Sequence, residues 1–280
     1  MSVLDTHVHV WDPTRLTYPW LDGLAALDRP FLPCEYQGAE RAIFVQADCL
    51  PDQALAEARW VAGLYWPELA GIVAGADLRS PDLEAHLDAL GEVGRVVGIR
   101  HLLQGEDAAR FADPALRRGL RALASRGLTF DACVRHPQLP ALVELVEAVP
   151  GLRVVLDHIG KSPVAEGISS DAGRQWRIWL RRLSALPDVH VKLSGLPAET
   201  DDAPAFFTQA DDFIRFAVDA FGPERAMVGS DWPVSEKFGA KVGPEEWIER
   251  VRFATGLVGD EWDAIAATTA ARFYRVPEQQ

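Results

Sequence analysis

His7 and His9 stand one residue apart inside the apolar run VLDTHVHV (3–10). In a strand, side chains at i and i+2 share a face. Both imidazoles can then meet one cation through ring nitrogens. Asp5 has the same parity and is predicted one layer deeper. Two later segments carry similar groups, LDHIG (156–160) with His158 and GSDWPV (229–234) with Asp231. Two or three imidazoles and one carboxylate, from His7, His9, His158 and Asp231, suit Zn²⁺ or a similar divalent ion. A His-x-His pair alone equally suits hydrogen-bonded interior residues. Asp231 follows the apolar run AMVGS and precedes Trp232-Pro233. An ionised carboxylate at that point can accept a proton from water.

Cationic side chains accompany this set. Arg100, Arg135, Lys161 and Lys192 are predicted to make the mouth of the pocket positive. That suits a substrate or product with a carboxylate or many oxygens. His101, next to Arg100, joins Arg135 and Lys161 as a substrate-binding candidate. Trp11, Trp20 and Trp232 offer flat apolar faces to a sugar-like ring, or simply pack in the core.

Positioning these groups requires strands. Eight short runs rich in Val, Ile, Leu and Phe recur at 3–10, 41–48, 69–78, 96–103, 128–134, 153–160, 189–196 and 225–234. Most are continuous rather than alternating, as in strands covered on both faces. Between them lie helical patterns at 53–66, 80–93, 113–127, 138–149, 171–186, 206–222 and 244–257, with a last one at 260–274. Asp113-Pro114 and Ser80-Pro81 read as helix starts, and Gly127 as a stop. This rhythm predicts an α/β fold, a (β/α)8 barrel forming one domain over 1–280. A doubly wound open sheet is the rival, but no G-x-G-x-x-G follows any run. Residues 11–40 hold several prolines and no helical pattern, which predicts a long functional loop after the first strand.

In such a barrel, reactive groups sit at the C-terminal ends of the strands. His7, His9, His101 and His158 fall at those ends, and His136 just past one. His86 lies on a predicted helix and His190 at a strand start.

Bulk properties narrow the class. The chain has 280 residues and a formal net charge of -13, with no Lys/Arg-rich run, which argues against a nucleic-acid partner. No apolar stretch is long enough to span a bilayer and no signal-peptide pattern opens the chain, so a cytoplasmic location is predicted. Cys34, Cys49 and Cys133 show neither zinc-site nor disulfide spacing and are expected as buried or half-buried thiols. A homo-oligomer is left open.

The segments DTHVHVWDP, YPWL, GIRHLLQ, LDHIGKSP, VKLSGL and GSDWPV together resemble the amidohydrolase superfamily. They are most similar to its branch of TIM-barrel lactonases acting on sugar acids and pyrone dicarboxylates. The resemblance runs from the first strand to the eighth. It implies hydrolysis of a small-molecule lactone of the L-fucono- or L-rhamnono-lactone type. His7, His9, His158 and Asp231 match site positions, with Asp231 as base on water and Arg100 and His158 as catalytic partners. One divalent cation, Zn²⁺, is implied, though not required in every member of the branch. Members with two metals carry a lysine after strand four, where this chain has Arg100-His101. The alternatives are an aromatic-acid decarboxylase of the same superfamily and a non-catalytic sugar-acid-binding barrel.

Overall fold

A computed structural model describes residues 2–277. Eight strands pair in parallel in chain order: β1 (Leu4–Val8), β2 (Arg41–Val45), β3 (Leu69–Gly75), β4 (Val96–Leu102), β5 (Thr129–Cys133), β6 (Val154–Leu156), β7 (Val189–Leu193) and β8 (Ala226–Val228). The ring is joined where the segment after β8 meets β1, as Asp231 N–H donates to His7 O and His9 N–H to Trp232 O, both at 2.8 Å. The architecture is the (β/α)8 barrel that the rhythm of the sequence predicts.

Helices α1 (Ala54–Ala62), α2 (Leu83–Gly91), α3 (Pro114–Arg126), α4 (Leu139–Glu147), α5 (Asp171–Ser184) and α6 (Ala203–Phe221) alternate with the strands. The cap of α3 is as read: the Asp113 carboxylate accepts from Ala115 N–H, and Gly127 closes the helix at φ 69. At α2 the reading was wrong. Ser80 Oγ accepts from Asp82 N–H in a turn, and the helix begins only at Leu83. A short α7 (Val234–Lys237), then α8 (Pro244–Thr255), precede a last helical stretch. That stretch is α9 (Gly259–Asp263), a π-helical turn (Ala264–Thr268) and α10 (Thr269–Tyr274). Ala270, Phe273 and Tyr274 of α10 pack with Leu4, Ile43, Val73 and Met227, closing the barrel interior at the end away from the strand C-termini.

Every strand is shorter than its apolar run, β6 and β8 the most. β6 stops at Leu156 and β8 at Val228 because His158 (φ 55), Ile159 (φ 45) and Asp231 (φ 59) leave the extended region. The loop over 11–40 holds only two 3-10 turns, Pro19–Leu21 and Pro33–Glu35, and is pinned by a two-way backbone bridge between Trp11 and Phe31. Cys49 and Cys133 are buried as expected, but Cys34 is exposed on this loop. No described helix is long and apolar enough to cross a membrane.

Candidate active site

The barrel interior is layered. Next to the apolar floor, Tyr274 Oη donates to Asp131 Oδ2 at 2.7 Å, and Lys192 Nζ donates to the same oxygen at 2.6 Å. Lys192 Nζ also lies 3.1 Å from Asp157 Oδ1 and 3.2 Å from His7 Nδ1. Lys192 is therefore not at the mouth, as its strand position had suggested. It is fully buried, one layer down, at the level of Met227 on β8. Burial raises the Asp131 carboxyl, against the pull of Lys192. Asp157 ends below its ordinary value: burial works against ionisation, but Lys192, His158 and Arg100 together outweigh it.

Above this layer the imidazoles and Asp231 converge. Asp231 Oδ1 lies 3.5 Å from His9 Nε2, 3.8 Å from His158 Nε2 and 3.9 Å from His7 Nε2. Its other oxygen accepts from Ser235 Oγ at 2.8 Å. Burial disfavours the Asp231 carboxylate, yet His158, His9 and Lys161 hold its pKa below the ordinary value. His7 is pushed well down by burial and by neighbouring Lys192, His9 and Arg100. Burial likewise pushes His158 well down, overcoming the opposing charge of Asp231. The neutral imidazoles of His7 and His158 thus face an ionised carboxylate.

Asp5 is not part of this stack. Between Asp5 and Val8, β1 advances three residues while β2 advances two, a bulge. The bulge breaks the parity that would have placed Asp5 beneath the histidines. Asp5 instead accepts from Ser230 N–H at 2.8 Å, His7 N–H at 3.1 Å and Tyr36 Oη at 2.8 Å, fastening the loop and the β8 exit to β1.

Geometry and chemistry fit a divalent cation. One ligand atom from each of His7, His9 and Asp231 lies within 4.8 Å of the others. A tetrahedral zinc with bonds of about 2.0–2.1 Å needs ligand atoms about 3.3 Å apart, so small side-chain shifts close the set. The second ring nitrogens are already engaged. His9 Nδ1 donates to the Val45 carbonyl at 2.7 Å, which leaves Nε2 with a free lone pair. His7 Nδ1 lies between Lys192 Nζ at 3.2 Å and Asp157 Oδ1 at 3.3 Å. His158 lies outside the mutual set, and its Nδ1 contacts Ser194 Oγ at 2.9 Å.

A cavity of about 190 Å³ opens over these groups, lined by His9, His158, Asp231, Arg100 and Lys161 among others. Its volume is about that of six waters, the scale of one small ring. Arg100 Nη2 donates to Gln46 O, and Nη1 lies 3.8 Å from Asp157 Oδ2. Lys161 is ion-paired with Glu199. Trp20 presents its ring to the cavity and donates from Nε1 to Ala47 O at 2.7 Å.

The remaining candidates lie elsewhere. His101 alternates with Arg100 on β4 and is held by Glu106 and Arg79 in an adjoining cavity of about 400 Å³. Arg135 is 58 % exposed, 3.9 Å from Glu199, at a third cavity that shares Trp20, Gln104 and Lys161 with the central one. Trp11 is fully buried against Trp20 and Phe31 and donates from Nε1 to Leu27 O. Trp232 packs on Phe31 and Tyr36. Neither ring lines the central cavity. Asp48, Gln104 and Ala198 do line it but were not read from the sequence. Asp48 closes the apolar run at 41–48, a strand-end position that could have flagged it, although β2 itself stops three residues earlier at Val45.

Known proteins resemble this chain along nearly its whole length. An amidohydrolase family model matches residues 4–276. The chain is 32% identical to an L-fucono-1,5-lactonase of Burkholderia ambifaria, covering 98% of this chain and 95% of that protein. It is 34% identical to the L-fucono-1,5-lactonase of Burkholderia multivorans, covering 98% and 96%. A crystal structure of an amidohydrolase from Burkholderia multivorans with bound zinc superposes with a TM-score of 0.85 at 32% identity, covering 99% of this chain and all of the other. A barrel whose first strand delivers His-x-His to an aspartate after the eighth, matched by one family model from β1 to the residues beyond α10, belongs to the amidohydrolase family.

Proposed function

We propose that the chain is a lactonase that opens a sugar-acid lactone, of the L-fucono-1,5-lactone kind, to the hydroxy acid. The observation that carries this reading is the convergence of three imidazole nitrogens on one oxygen of Asp231, beneath a cavity sized for a single ring. The sugar-acid lactonases among its relatives favour this reading over decarboxylation.

Asp231, ionised and buried, takes a proton from a water in the cavity as that water attacks the lactone carbonyl. Arg100 and His158 line the same cavity and stabilise the charge that develops on the carbonyl oxygen. The C–O ring bond breaks, and Asp231 returns its proton to the departing ring oxygen. Trp20 offers a face for the ring, and Lys161 and Glu199 offer donors and acceptors to its hydroxyls. His7, His9 and Asp231 would hold a divalent cation, with zinc the favoured one. When bound, such an ion supplies Lewis acidity that acidifies water and polarises a carbonyl.

A pH-indicator assay over uncharged sugar-acid lactones, with metal analysis of the same preparation, tests this. Acid release on a hexono- or deoxyhexono-lactone, abolished in Asp231→Asn, is the expected result. Carbon dioxide release from aromatic acids without lactone hydrolysis would establish the decarboxylase instead. Full activity in Asp231→Asn would remove Asp231 as the base.

A further inference from the structure

Charge is distributed unevenly around the central cavity. Both cations on its wall are already occupied: Arg100 by the Gln46 carbonyl and Asp157, Lys161 by Glu199. Asp48 is different. This exposed residue lines both the central cavity and the adjoining one. Among the described residues it makes no ion pair and accepts no hydrogen bond; only its backbone N–H is engaged, by Gln46 Oε1 at 2.5 Å. The backbone at Asp48 is left-handed, φ 60, a conformation aspartate tolerates better than most residues and that turns the chain off the end of β2.

We infer that Asp48 selects substrates by charge, accepting hydrogen bonds from the hydroxyls of an uncharged polyhydroxy lactone and repelling lactones that carry a further carboxylate or sulfonate. This rests on the lactonase reading and adds the substrate class to it. An anion at the junction of the two cavities meets a carboxylate with no ion-pair partner, offset there only by Arg100, which the Gln46 carbonyl and Asp157 also hold. A sugar hydroxyl meets an acceptor with open lone pairs.

The same group acts on the product. Hydrolysis adds water across the ester and leaves a hydroxy acid, whose carboxyl proton passes to solvent at neutral pH. The substrate enters neutral and the product leaves as an anion. Asp48 therefore weakens product binding relative to substrate binding.

Two matched lactones test this at pH 8: a hexono-1,5-lactone, and the same ring with a carboxylate in place of its terminal alcohol carbon. The kcat/KM for each is compared in the wild-type protein and in Asp48→Asn, together with inhibition by the free hexonate. Asparagine keeps the shape, an acceptor oxygen and tolerance of the left-handed backbone. The wild type is expected to favour the uncharged lactone by roughly tenfold or more, the scale of one like-charge contact in a partly hydrated cavity. In Asp48→Asn that ratio is expected to fall by roughly tenfold, with the hexonate binding more tightly by a similar factor. A wild type that prefers the charged lactone would overturn the inference. So would a variant with unchanged ratio and unchanged hexonate inhibition. Those results leave the lactonase reading intact, whereas hydrolysis of neither lactone would overturn that reading and Asp48's role with it.

Discussion

Lys192 Nζ and Asp131 Oδ2 meet at 2.6 Å in the middle of the barrel, with neither side chain reaching solvent. The pair stands under His7 and is braced from below by Tyr274. A buried ammonium is tolerated only where charges and hydrogen bonds surround it. Here one cation serves two carboxylates, Asp131 and Asp157, and Asp157 in turn faces His7 Nδ1. The support of a candidate metal ligand is thus an internal ion network anchored on the last helix.

Lys192→Met removes that cation, leaving Asp131 buried without an ion-pair partner and Asp157 with Arg100 alone, 3.8 Å away. Loss of about 3–5 kcal/mol of stability is expected, the range for breaking one side of a buried pair. Urea unfolding measures it. Adding Asp131→Leu to Lys192→Met should recover part of the loss, since one of the stranded charges is then gone. A double variant less stable than the single one would show that the pair is not the unit assumed here.

Gly195→Ala tests how His158 is placed. Gly195 follows β7 at φ 68, and a Cβ there would lie 2.2 Å from His158 Nδ1. The ring cannot remain beside Ser194 Oγ with a methyl in its place. Since His158 borders the cavity, a fall in kcat of tenfold or more is expected, with strain of about 1–3 kcal/mol from the left-handed backbone. Unchanged kcat with lowered stability alone would separate His158 from the chemistry.

Much of this arrangement was legible in the residues. The repeating apolar runs and helical stripes convey a barrel because each is a local pattern, and His7, His9, Arg100 and Asp231 stand at strand ends, where such barrels carry chemistry. What failed depended on geometry that leaves no local trace. The bulge in β1 swings Asp5 off the histidine face, and nothing in DTH marks it. Lys192 was placed at the mouth because strand parity gives the face but not the height. Left-handed backbone at His158 and Asp231 ends two strands early, although neither residue is glycine. Asp48 ends the run at 41–48 and so carried a strand-end signal, but the structure ends β2 at Val45 and turns the chain left-handed at Asp48 itself.

Zinc is expected to stabilise the folded chain through His7, His9 and Asp231. A ligand at a hundred times its Kd adds about 2.7 kcal/mol. For a chain of this length that is a rise in Tm of about 5 °C. His9→Ala removes the imidazole whose Nδ1 is tied to Val45 O, and the zinc-dependent rise should shrink or vanish. Differential scanning calorimetry with and without zinc reads this independently of turnover. An equal rise in His9→Ala would place the ion elsewhere.

Glu57 provides a pH test away from the chemistry. It lies on α1, is 1% exposed, and accepts from Ala47 N–H at 3.1 Å. Burial raises its pKa from 4.5 to about 7, against the pull of that N–H and of Arg100. The folded chain therefore holds this proton more tightly than the unfolded one. Below pH 4.5 the group is protonated in both states and its contribution is fully present. As pH rises toward 7 the unfolded chain releases the proton first, so stability declines, by about 3 kcal/mol once pH passes the folded value. Glu57→Gln keeps an acceptor for Ala47 and cannot ionise. Its urea midpoint should exceed that of the wild type at pH 8 and match it near pH 4.5. An equal gain at both pH values would mean that glutamine improves packing, and that the buried carboxyl is not what makes this helix sensitive to alkali.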